Sequence, residues 1–251
     1  MDINDAWIGA CRVVLGGEVG GLEQFAPYLT KYIESPVERV SALSGHALSV
    51  SFPSYPAEAS FISNDEMARY NQMKKARLDI NQVKDIDSVL EALREQIIYS
   101  GNIVIGNSRE VSESDSIANS QFVHRSVRIY DSKYVAYSSD VRYGDHVFGC
   151  DKGPAPKFMI SSTHTHKSVR GFENIKIIMA SDAYYCANLE ECQNCLFTFN
   201  QKSRRHLISN CQFAPDEYAK LKAKLLEDVR SRLEQKKSVP SIVDILRGSH
   251  E

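Results

Sequence analysis

Through the middle of this chain, aliphatic residues recur at a constant spacing of six. They are Val111, Ile117, Val123, Ile129, Val135, Val141 and Val147. Ser or Gly follows most of them three residues later. A period of six fits neither the helical turn of about 3.6 residues nor the alternation of a flat strand, and it is typical of a solenoid that turns a corner every six residues.

We call these regularly spaced aliphatic residues rungs. Stacked on one another, the rungs would build a dry interior for the solenoid. With three six-residue faces in a coil, residues eighteen apart stack, so that Ile117 lies under Val135 and Val123 under Val141. Each buried branched side chain then contributes about 1.5–3 kcal/mol relative to exposure. The Ser or Gly between two rungs falls at a corner, where there is little room. We expect about five to six coils of this size, with the hand of the coil unassigned.

The segments outside the regular repeats have other patterns. Helical and hairpin patterns predict a mixed α/β cap at the N-terminus, with Ser44-Gly45 at the turn of the hairpin. The Pro- and His-containing segment 149–166 predicts an irregular loop within the solenoid. After the repeats, a helix with Pro215 in its first turn presents one apolar face.

The chain is therefore predicted to be an α+β protein in three parts. An α/β N-terminal cap covers 1–100, a parallel β-solenoid (β-helix) covers 101–213, and a C-terminal capping helix with a short tail covers 214–251. We expect this helix to seal the solenoid, because the ends of a solenoid expose strand edges that must be covered. Docking of the helix in a groove of a partner is the alternative.

Composition adds few restrictions. The chain has 251 residues, 43% of them hydrophobic and 25% charged, and a formal charge of −2, as in ordinary globular proteins. No stretch approaches the ~20 apolar residues of a membrane span, and the start is acidic where a signal peptide is basic. We expect a cytoplasmic protein with no membrane contact, whose six cysteines are free, buried or metal-bound rather than paired.

The side chains beside the rungs form the candidate binding face. Alternation along a strand directs these neighbours outward. The simplest explanation is that the N-terminal helices pack over one face and bury its aromatic residues. Otherwise these residues bind a protein, or RNA, because aromatic and Arg side chains are favoured anchors of interfaces. The candidates are His124, Arg128, Tyr130, Arg142, His146 and Phe148.

Four cysteines form the candidate metal site. Cys192 and Cys195 make one C-x-x-C knuckle, whereas structural zinc sites commonly use two. In an eighteen-residue coil Cys195 and Cys211 could lie close together, but Cys186 and Cys192 fall on successive faces. Burial as small apolar side chains is the favoured interpretation, with structural zinc as the alternative and redox chemistry as a third. No other cofactor is expected.

Histidines carry the enzymatic alternative. Hexapeptide-repeat acyltransferases use a histidine base at a subunit interface, and gamma-class carbonic anhydrases bind zinc through histidines that include an H-x4-H pair. The chain has no such pair, and no G-x-S-x-G or H-E-x-x-H motif. His124, His146 or His164 could still serve an acyltransferase or a metal-dependent hydratase at a trimer interface.

A basic run follows the last repeat. Lys202, Arg204 and Arg205 could bind phosphate or RNA. Three charges in a row are more often a solvated turn.

The same stretch resembles a known group of proteins. Asn194-Cys195, Phe197, Asn200 and Lys202 match the closing motif N-C-x-F-x-x-N-x-K of uncharacterised archaeal and bacterial repeat proteins rich in Cys and Asn. The resemblance implies a β-solenoid followed by a C-terminal helix, and it implies no activity. The chain has Ser or Asn where these proteins repeat Cys, and it lacks the zinc ribbon that some of them carry.

The leading hypothesis is a non-enzymatic scaffold or adaptor that binds a protein partner through a face of the solenoid. Repeat proteins offer broad, rigid surfaces, and the sequence shows no convergent catalytic set. The alternatives are the acyltransferase or hydratase, a self-assembling solenoid, and an RNA- or ribonucleoprotein-associated factor. The capping helix argues against self-assembly, because it would block end-to-end stacking.

Overall fold

In the computed structural model of the protein, the chain forms a parallel β-solenoid with helices along one side and an α/β unit at its first coil. The structure describes residues 2–52, 54–56, 58–73, 83–94, 97–144, 148–151, 153–154, 159–163 and 170–247. Outside the solenoid, the elements are α1 (Ile3–Leu15), a 3-10 helix (Leu22–Phe25), α2 (Ala26–Leu29), β1 (Val37–Val40), β2 (Ala47–Val50), β3 (Phe61–Ser63), a 3-10 helix (Asn64–Glu66), α3 (Met67–Met73), α4 (Ile86–Arg94), β4 (Tyr99–Gly101), α5 (Pro215–Lys236) and α6 (Ile242–Arg247).

The solenoid strands are short and evenly spaced. They are β5 (Val104–Ile105), β6 (Arg109–Ser112), β7 (Asp115–Ala118), β8 (Gln121–His124), β9 (Val127–Tyr130), β10 (Lys133–Ala136), β11 (Ser139–Arg142), β12 (Phe148–Asp151), β13 (Gly153–Pro154), β14 (Met159–Thr163), β15 (Gly171–Ile178), β16 (Ser181–Tyr184), β17 (Ala187–Glu190), β18 (Gln193–Leu196), β19 (Phe199–Lys202), β20 (Arg205–Ile208) and β21 (Cys211–Gln212).

Each coil of the solenoid contains twelve residues and two strands. Val111 pairs with Val123 in one sheet, and Ile117 pairs with Ile129 in the other. The predicted stacking of residues eighteen apart is therefore wrong. Rungs from the two sheets fill the narrow space between them directly, so a third face is not needed to close the interior. The shorter coil gives about seven turns instead of five to six.

Two sheets result from this winding. Sheet 1 contains β6, β8, β10, β12, β14, the start of β15, β16, β18 and β20, and sheet 2 contains β5, β7, β9, β11 and β13. The end of β15 pairs with β17, and β17 with β19, so these two strands continue the register of sheet 2. The inner rungs Ile117, Val123, Ile129, Val135 and Val141 are fully buried.

Serine side chains close the corners of the first coils. The Oγ atom of Ser120 accepts a hydrogen bond from Ser132 N (3.1 Å) and donates one to the carbonyl of Ala118 (2.8 Å). Ser114 and Ser126 repeat this arrangement. The hydroxyl supplies an acceptor that the backbone of the turn lacks, so the corner amides are satisfied without water.

Every third residue of the first coils has a left-handed backbone. From Glu110 to Tyr143 the φ angles of these residues lie between 44° and 61°, and the pattern recurs from Glu173 to Ser209. Among the described residues of both runs, none of these positions holds Val, Ile or Thr. A side chain branched at Cβ collides with the backbone in this conformation. The six-residue repeat therefore contains a three-residue backbone period.

The segment predicted to be an irregular loop, 149–166, belongs to the solenoid in its described parts. Phe148 pairs with Ile160, and Ile160 pairs with Phe172. The twelve-residue register thus passes through the segment without a shift. The prediction of a loop is wrong for the described residues, because β12, β13 and β14 lie in or begin at this segment and Pro154 pairs with Arg142.

Helices cover the outer surface of sheet 1. A second apolar ladder lies there, with at most 2% exposure at each rung: Ala136, Phe148, Ile160, Phe172, Tyr184 and Leu196. Trp7 of α1 packs edge-on against Phe148 with ring centroids 5.2 Å apart. Val229 and Leu233 of α5 join the same core. The N-terminal helices therefore bury the aromatic residues of one face, as the simplest explanation predicted.

The two ends of the solenoid are closed differently. At the first coil, the carboxylate of Asp115 accepts hydrogen bonds from Ser51 N (2.8 Å) and Ile103 N (2.7 Å), which attaches the α/β unit. At the last coil, β21 turns back and pairs antiparallel with β20. There α5 begins, with Tyr218 packed on His206 at 5.3 Å between ring centroids.

A buried carboxylate joins three separate parts of the chain. Glu173 of β15 accepts hydrogen bonds from the hydroxyl of Tyr28, from Ser241 Oγ (2.6 Å) and from Ile242 N (3.1 Å). It is 1% exposed. This cluster ties α2 and the C-terminal tail to the middle of the solenoid.

We expect Ser120→Ala to lower the free energy of unfolding by about 1–3 kcal/mol, because the Ser132 amide then stays buried without an acceptor. Urea unfolding followed by circular dichroism measures the change. The control is Ser203→Ala, at an exposed serine of the last coil, which should change stability by less than about 0.5 kcal/mol. Equal effects of the two changes would contradict the role of the corner hydroxyl.

We expect Glu173→Gln to change how stability depends on pH. Burial raises the pKa of Glu173 above its ordinary value of 4.5, so the folded protein binds this proton more tightly than the unfolded chain does. Stability from this group is greatest below about pH 4.5 and is lost as the pH rises through the folded pKa. The stability of wild type relative to Glu173→Gln should therefore fall as the pH increases. Urea unfolding of both proteins at several pH values measures this difference. A difference that does not change with pH would contradict the prediction.

Candidate functional site

Charged side chains on the outside of the solenoid follow the twelve-residue register. A cation in one coil pairs with a carboxylate at the same position of a neighbouring coil, so stacked side chains neutralise one another. The pairs are Arg125–Glu113 (2.7 Å), Arg128–Asp140 (2.7 Å), Arg170–Asp182 (3.1 Å) and Lys202–Glu190 (2.7 Å).

Arg142 departs from this rule. Its stacked neighbours are Tyr130 and Pro154, neither of which carries a charge. The guanidinium carbon lies 5.1 Å from the centroid of the Tyr130 ring. Arg142 is exposed, and within the described part of the chain it has no carboxylate partner. Its planar fork of donors is therefore free to bind a group from outside the chain.

Other exposed anchors share the surface with Arg142. We call the uncovered outer surface of β9, β11, the end of β15, β17 and β19 the open face. The helices pack on sheet 1, and the α/β unit contacts β7 and Arg128. Tyr143 is 63% exposed beside Arg142, and Ile178 and Met179 are 37% and 49% exposed farther along. Large apolar side chains next to an unpaired Arg are characteristic of a protein-binding surface.

Arg128 is held by the α/β unit rather than presented to solvent. Its guanidinium pairs with both Asp140 and Glu34, and its Nη1 donates to the carbonyl of Ser51 (3.1 Å). The side chain is 17% exposed. Hydrogen bonding to Asp140, followed by that to Glu34, raises the pKa of Arg128. This residue acts as a structural link between the unit and the solenoid.

The aromatic candidates divide between the two sheets. Phe148 is fully buried under Trp7 on sheet 1. Tyr130 lies on the open face under Arg142. His146, predicted beside Phe148, lies outside the described residues. Tyr130 and Arg142 are therefore the two predicted face residues that the structure brings together in an accessible position.

His124 lies where the helices stop covering sheet 1. Its side chain is 19% exposed, and its ring packs edge-on against Tyr137 at 5.7 Å between centroids. Burial lowers the pKa of His124 below its ordinary value of 6.5. Its nearest polar partners are Ser112 and Glu23. The predicted candidate His164 lies outside the described residues.

The cysteine cluster occupies the interior of the last coils. Cys186 and Cys192 lie at corners and Cys195 on a rung, all three buried, whereas Cys211 is exposed on β21. The thiol of Cys186 donates to the carbonyls of Tyr184 (3.2 Å) and Cys195 (3.4 Å). Burial raises the pKa of Cys186 and of Cys195 to about 12, which opposes formation of the thiolate that zinc requires. Within the described ranges, no group of three His, Cys, Asp or Glu could hold a metal ion.

The basic run lies on the surface of the last coil. Lys202 is neutralised by Glu190, and Arg204 and Arg205 are both exposed. Two cations without a wider basic surface provide few phosphate contacts.

Comparison of the chain with family models, with curated proteins and with solved structures finds no match in any of the three. Among the helices of the described residues, none combines the length and apolar character that a membrane crossing requires.

Sequence reasoning missed part of the open face. The six-residue pattern leaves out Tyr143 and Met179, which lie at left-handed positions, and Ile178, which follows the rung Ile177 on the outward side of β15. A signal was present in the charges. Glu113 and Arg125 are twelve residues apart, as are Arg128 and Asp140, so the charges indicate a coil of twelve residues. At this spacing the neighbours of Arg142 are Tyr130 and Pro154, which are uncharged.

We expect thiol labelling at pH 7.5 to modify Cys211 rapidly and to leave Cys186 and Cys195 unmodified until urea unfolds the chain, because these two are buried with raised pKa values. Site-resolved mass spectrometry after N-ethylmaleimide treatment measures this. The control is the same protein treated with a chelator. A chelator that speeds labelling of Cys211 would show a bound metal instead.

Proposed function

We propose that this protein is a scaffold or adaptor that binds a protein partner through the open face. The observation that carries the proposal is Arg142, which is exposed, stacked on Tyr130 and without an ion pair among the described residues. The cations Arg125, Arg128, Arg170 and Lys202 each pair with a carboxylate twelve residues away. A carboxylate of the partner would pair with Arg142. An apolar side chain of the partner would pack on Tyr143.

The rigidity of the support favours binding. The open face lies on fully buried rungs, and Arg142 stands on a strand rather than in a loop. Its side chain is already ordered on the Tyr130 ring, so little freedom is lost when a partner binds. Beyond the Tyr143 end, exposed Ile178 and Met179 would extend the contact along the solenoid.

A protein partner is favoured over nucleic acid by the charges of the open face. The acidic groups Asp131, Glu190 and Glu191 lie on the same surface, and Lys202 is neutralised by Glu190. Nucleic-acid binding depends on several cations that contact phosphates together. One free Arg among carboxylates suits a mixed protein surface better.

The closing motif supports a fold shared with the Cys- and Asn-rich repeat proteins, because the geometry of the coil explains each of its residues. Asn194 and Asn200 occupy left-handed positions, which Asn tolerates better than most residues. Cys195 fills the interior, and Lys202 pairs with Glu190. Each of these roles follows from coil geometry, so the motif supports a shared fold.

We expect Arg142→Glu to abolish partner capture and to leave the free energy of unfolding within about 0.5 kcal/mol of wild type, because this exposed side chain has no ion pair in the described structure. Affinity capture from the lysate of the source cells, quantified by mass spectrometry, measures binding. Proteins captured by wild type and lost with Arg142→Glu are the specific partners.

Two charge reversals serve as controls for this experiment. Lys224→Glu, on an exposed position of α5, should keep both capture and stability. Arg128→Glu should cost about 1–3 kcal/mol of stability, since it breaks the link to Asp140 and Glu34. Capture that is the same for wild type and Arg142→Glu would refute the proposal.

A further inference from the structure

The apolar ladder on sheet 1 changes character at its first two rungs. Twelve and twenty-four residues before Ala136, the same position holds His124 and Ser112. Ala136 is buried under the helices, whereas Ser112 is exposed and His124 is half-buried. The 3-10 helix Leu22–Phe25 ends the covered region and brings Glu23 to His124.

These side chains lie in a row, joined by two hydrogen bonds and one longer ionic contact. The Oγ atom of Ser112 lies 2.8 Å from Nδ1 of His124. On the other side of the ring, Nε2 lies 3.5 Å from Oε1 of Glu23. The second oxygen of Glu23 accepts a hydrogen bond from the hydroxyl of Tyr137 (2.6 Å). A hydroxyl, an imidazole and a carboxylate therefore follow one another in the order that an activated serine requires.

Burial keeps the imidazole of His124 neutral near pH 7. Burial lowers the pKa of His124, Glu23 and Glu113 oppose this shift, and Arg125 adds to it. The negative charge of Glu23 on the Nε2 side of the ring favours the tautomer with its proton on Nε2. The lone pair of Nδ1 then faces Ser112, so the ring can remove the proton of the hydroxyl.

We propose that Ser112 is a nucleophile with His124 as its base and Glu23 as a positioning residue, and that the site hydrolyses carboxylic esters with short acyl groups. This site is separate from the open face, because it lies on the outer surface of sheet 1. It needs neither a metal nor a cofactor.

The reaction is balanced by water alone. Ser112 Oγ bonds to the ester carbonyl carbon while its proton moves to Nδ1 of His124. The bond to the alcohol breaks, and the alcohol takes that proton. Water then attacks the acyl-serine, gives a proton to Nδ1, and releases the carboxylic acid as the proton returns to Ser112.

A cleft beside these residues has room for the substrate. It measures about 660 Å³ and lies between α2, β2 and the solenoid, within the range of small-molecule sites. Its lining includes Arg125, the residue after His124, and Tyr137, whose hydroxyl donates to Glu23. It also includes the apolar Ala26, Pro27 and Leu48. The cleft reaches Glu113 and Arg125, the residues that follow Ser112 and His124, and its apolar side chains suit a short acyl chain.

The test uses a fluorophosphonate probe and p-nitrophenyl butyrate with the full-length protein. We expect the probe to modify Ser112, located by peptide mass spectrometry, and we expect measurable ester hydrolysis. Ser112→Ala should abolish both. His124→Gln should lower both by about 10²-fold or more, the usual contribution of a general base. Hydrolysis by wild type should rise with pH and level off below neutrality, because the pKa of His124 is lowered.

Glu23→Gln gives a readout that a purely structural role would not change. The charge of Glu23 raises the pKa of His124, so its removal should move the midpoint of the pH–rate profile to lower pH, in addition to slowing the reaction. Two variants should react like wild type: Ser203→Ala, an exposed serine bonded to Glu191 instead of a histidine, and Lys224→Glu on an exposed position of α5.

Circular dichroism establishes that each variant is folded. Failure of the probe to modify Ser112 in the folded wild type would overturn the proposal. So would equal hydrolysis by wild type and Ser112→Ala.

Discussion

The whole molecule depends on one constraint, the stacking of each residue on the residue twelve positions away. Backbone hydrogen bonds between coils enforce this register from β6 to β20. Residues that are twelve apart form a column, and each column must hold side chains that can pack on one another. Aliphatic residues satisfy it in the interior, serines at the corners, and alternating charges on the outside. Where a column breaks this pattern, as at Arg142, a side chain has no ion-pair partner in the described part of the chain.

Much of the fold was predictable because burial repeats along the chain. The six-residue period identified the inner rungs correctly, from Ile117 to Val141. It could not distinguish two faces from three, because either number repeats the same aliphatic pattern. Only the stacked charges contain that information, and they involve the outer positions that hydrophobic patterns ignore. The helices over sheet 1 were predicted in outline from the aromatic residues that they bury.

The candidate sites were less predictable, because distant segments complete them. Arg128 looks like Arg142 in the sequence, but Glu34, 94 positions away along the chain, pairs with it. Ser112 and His124 are twelve apart and detectable once the register is known, whereas Glu23 reaches them from another element. A sequence pattern describes the neighbours within the repeat. It gives no information about which loop the remainder of the chain brings to each rung.

The left-handed residue at every third position also protects the register while the chain folds. If a coil docked one residue out of step, the branched rungs Ile117, Val123 and Ile129 would be forced into positive φ, at roughly 1–2 kcal/mol for each residue. A shift of three would keep the backbone but put serine in the interior. Only a misalignment by six residues or a multiple of six escapes both penalties. The backbone conformation therefore disfavours coils that dock out of register, in addition to the side-chain contacts that stabilise the correct register.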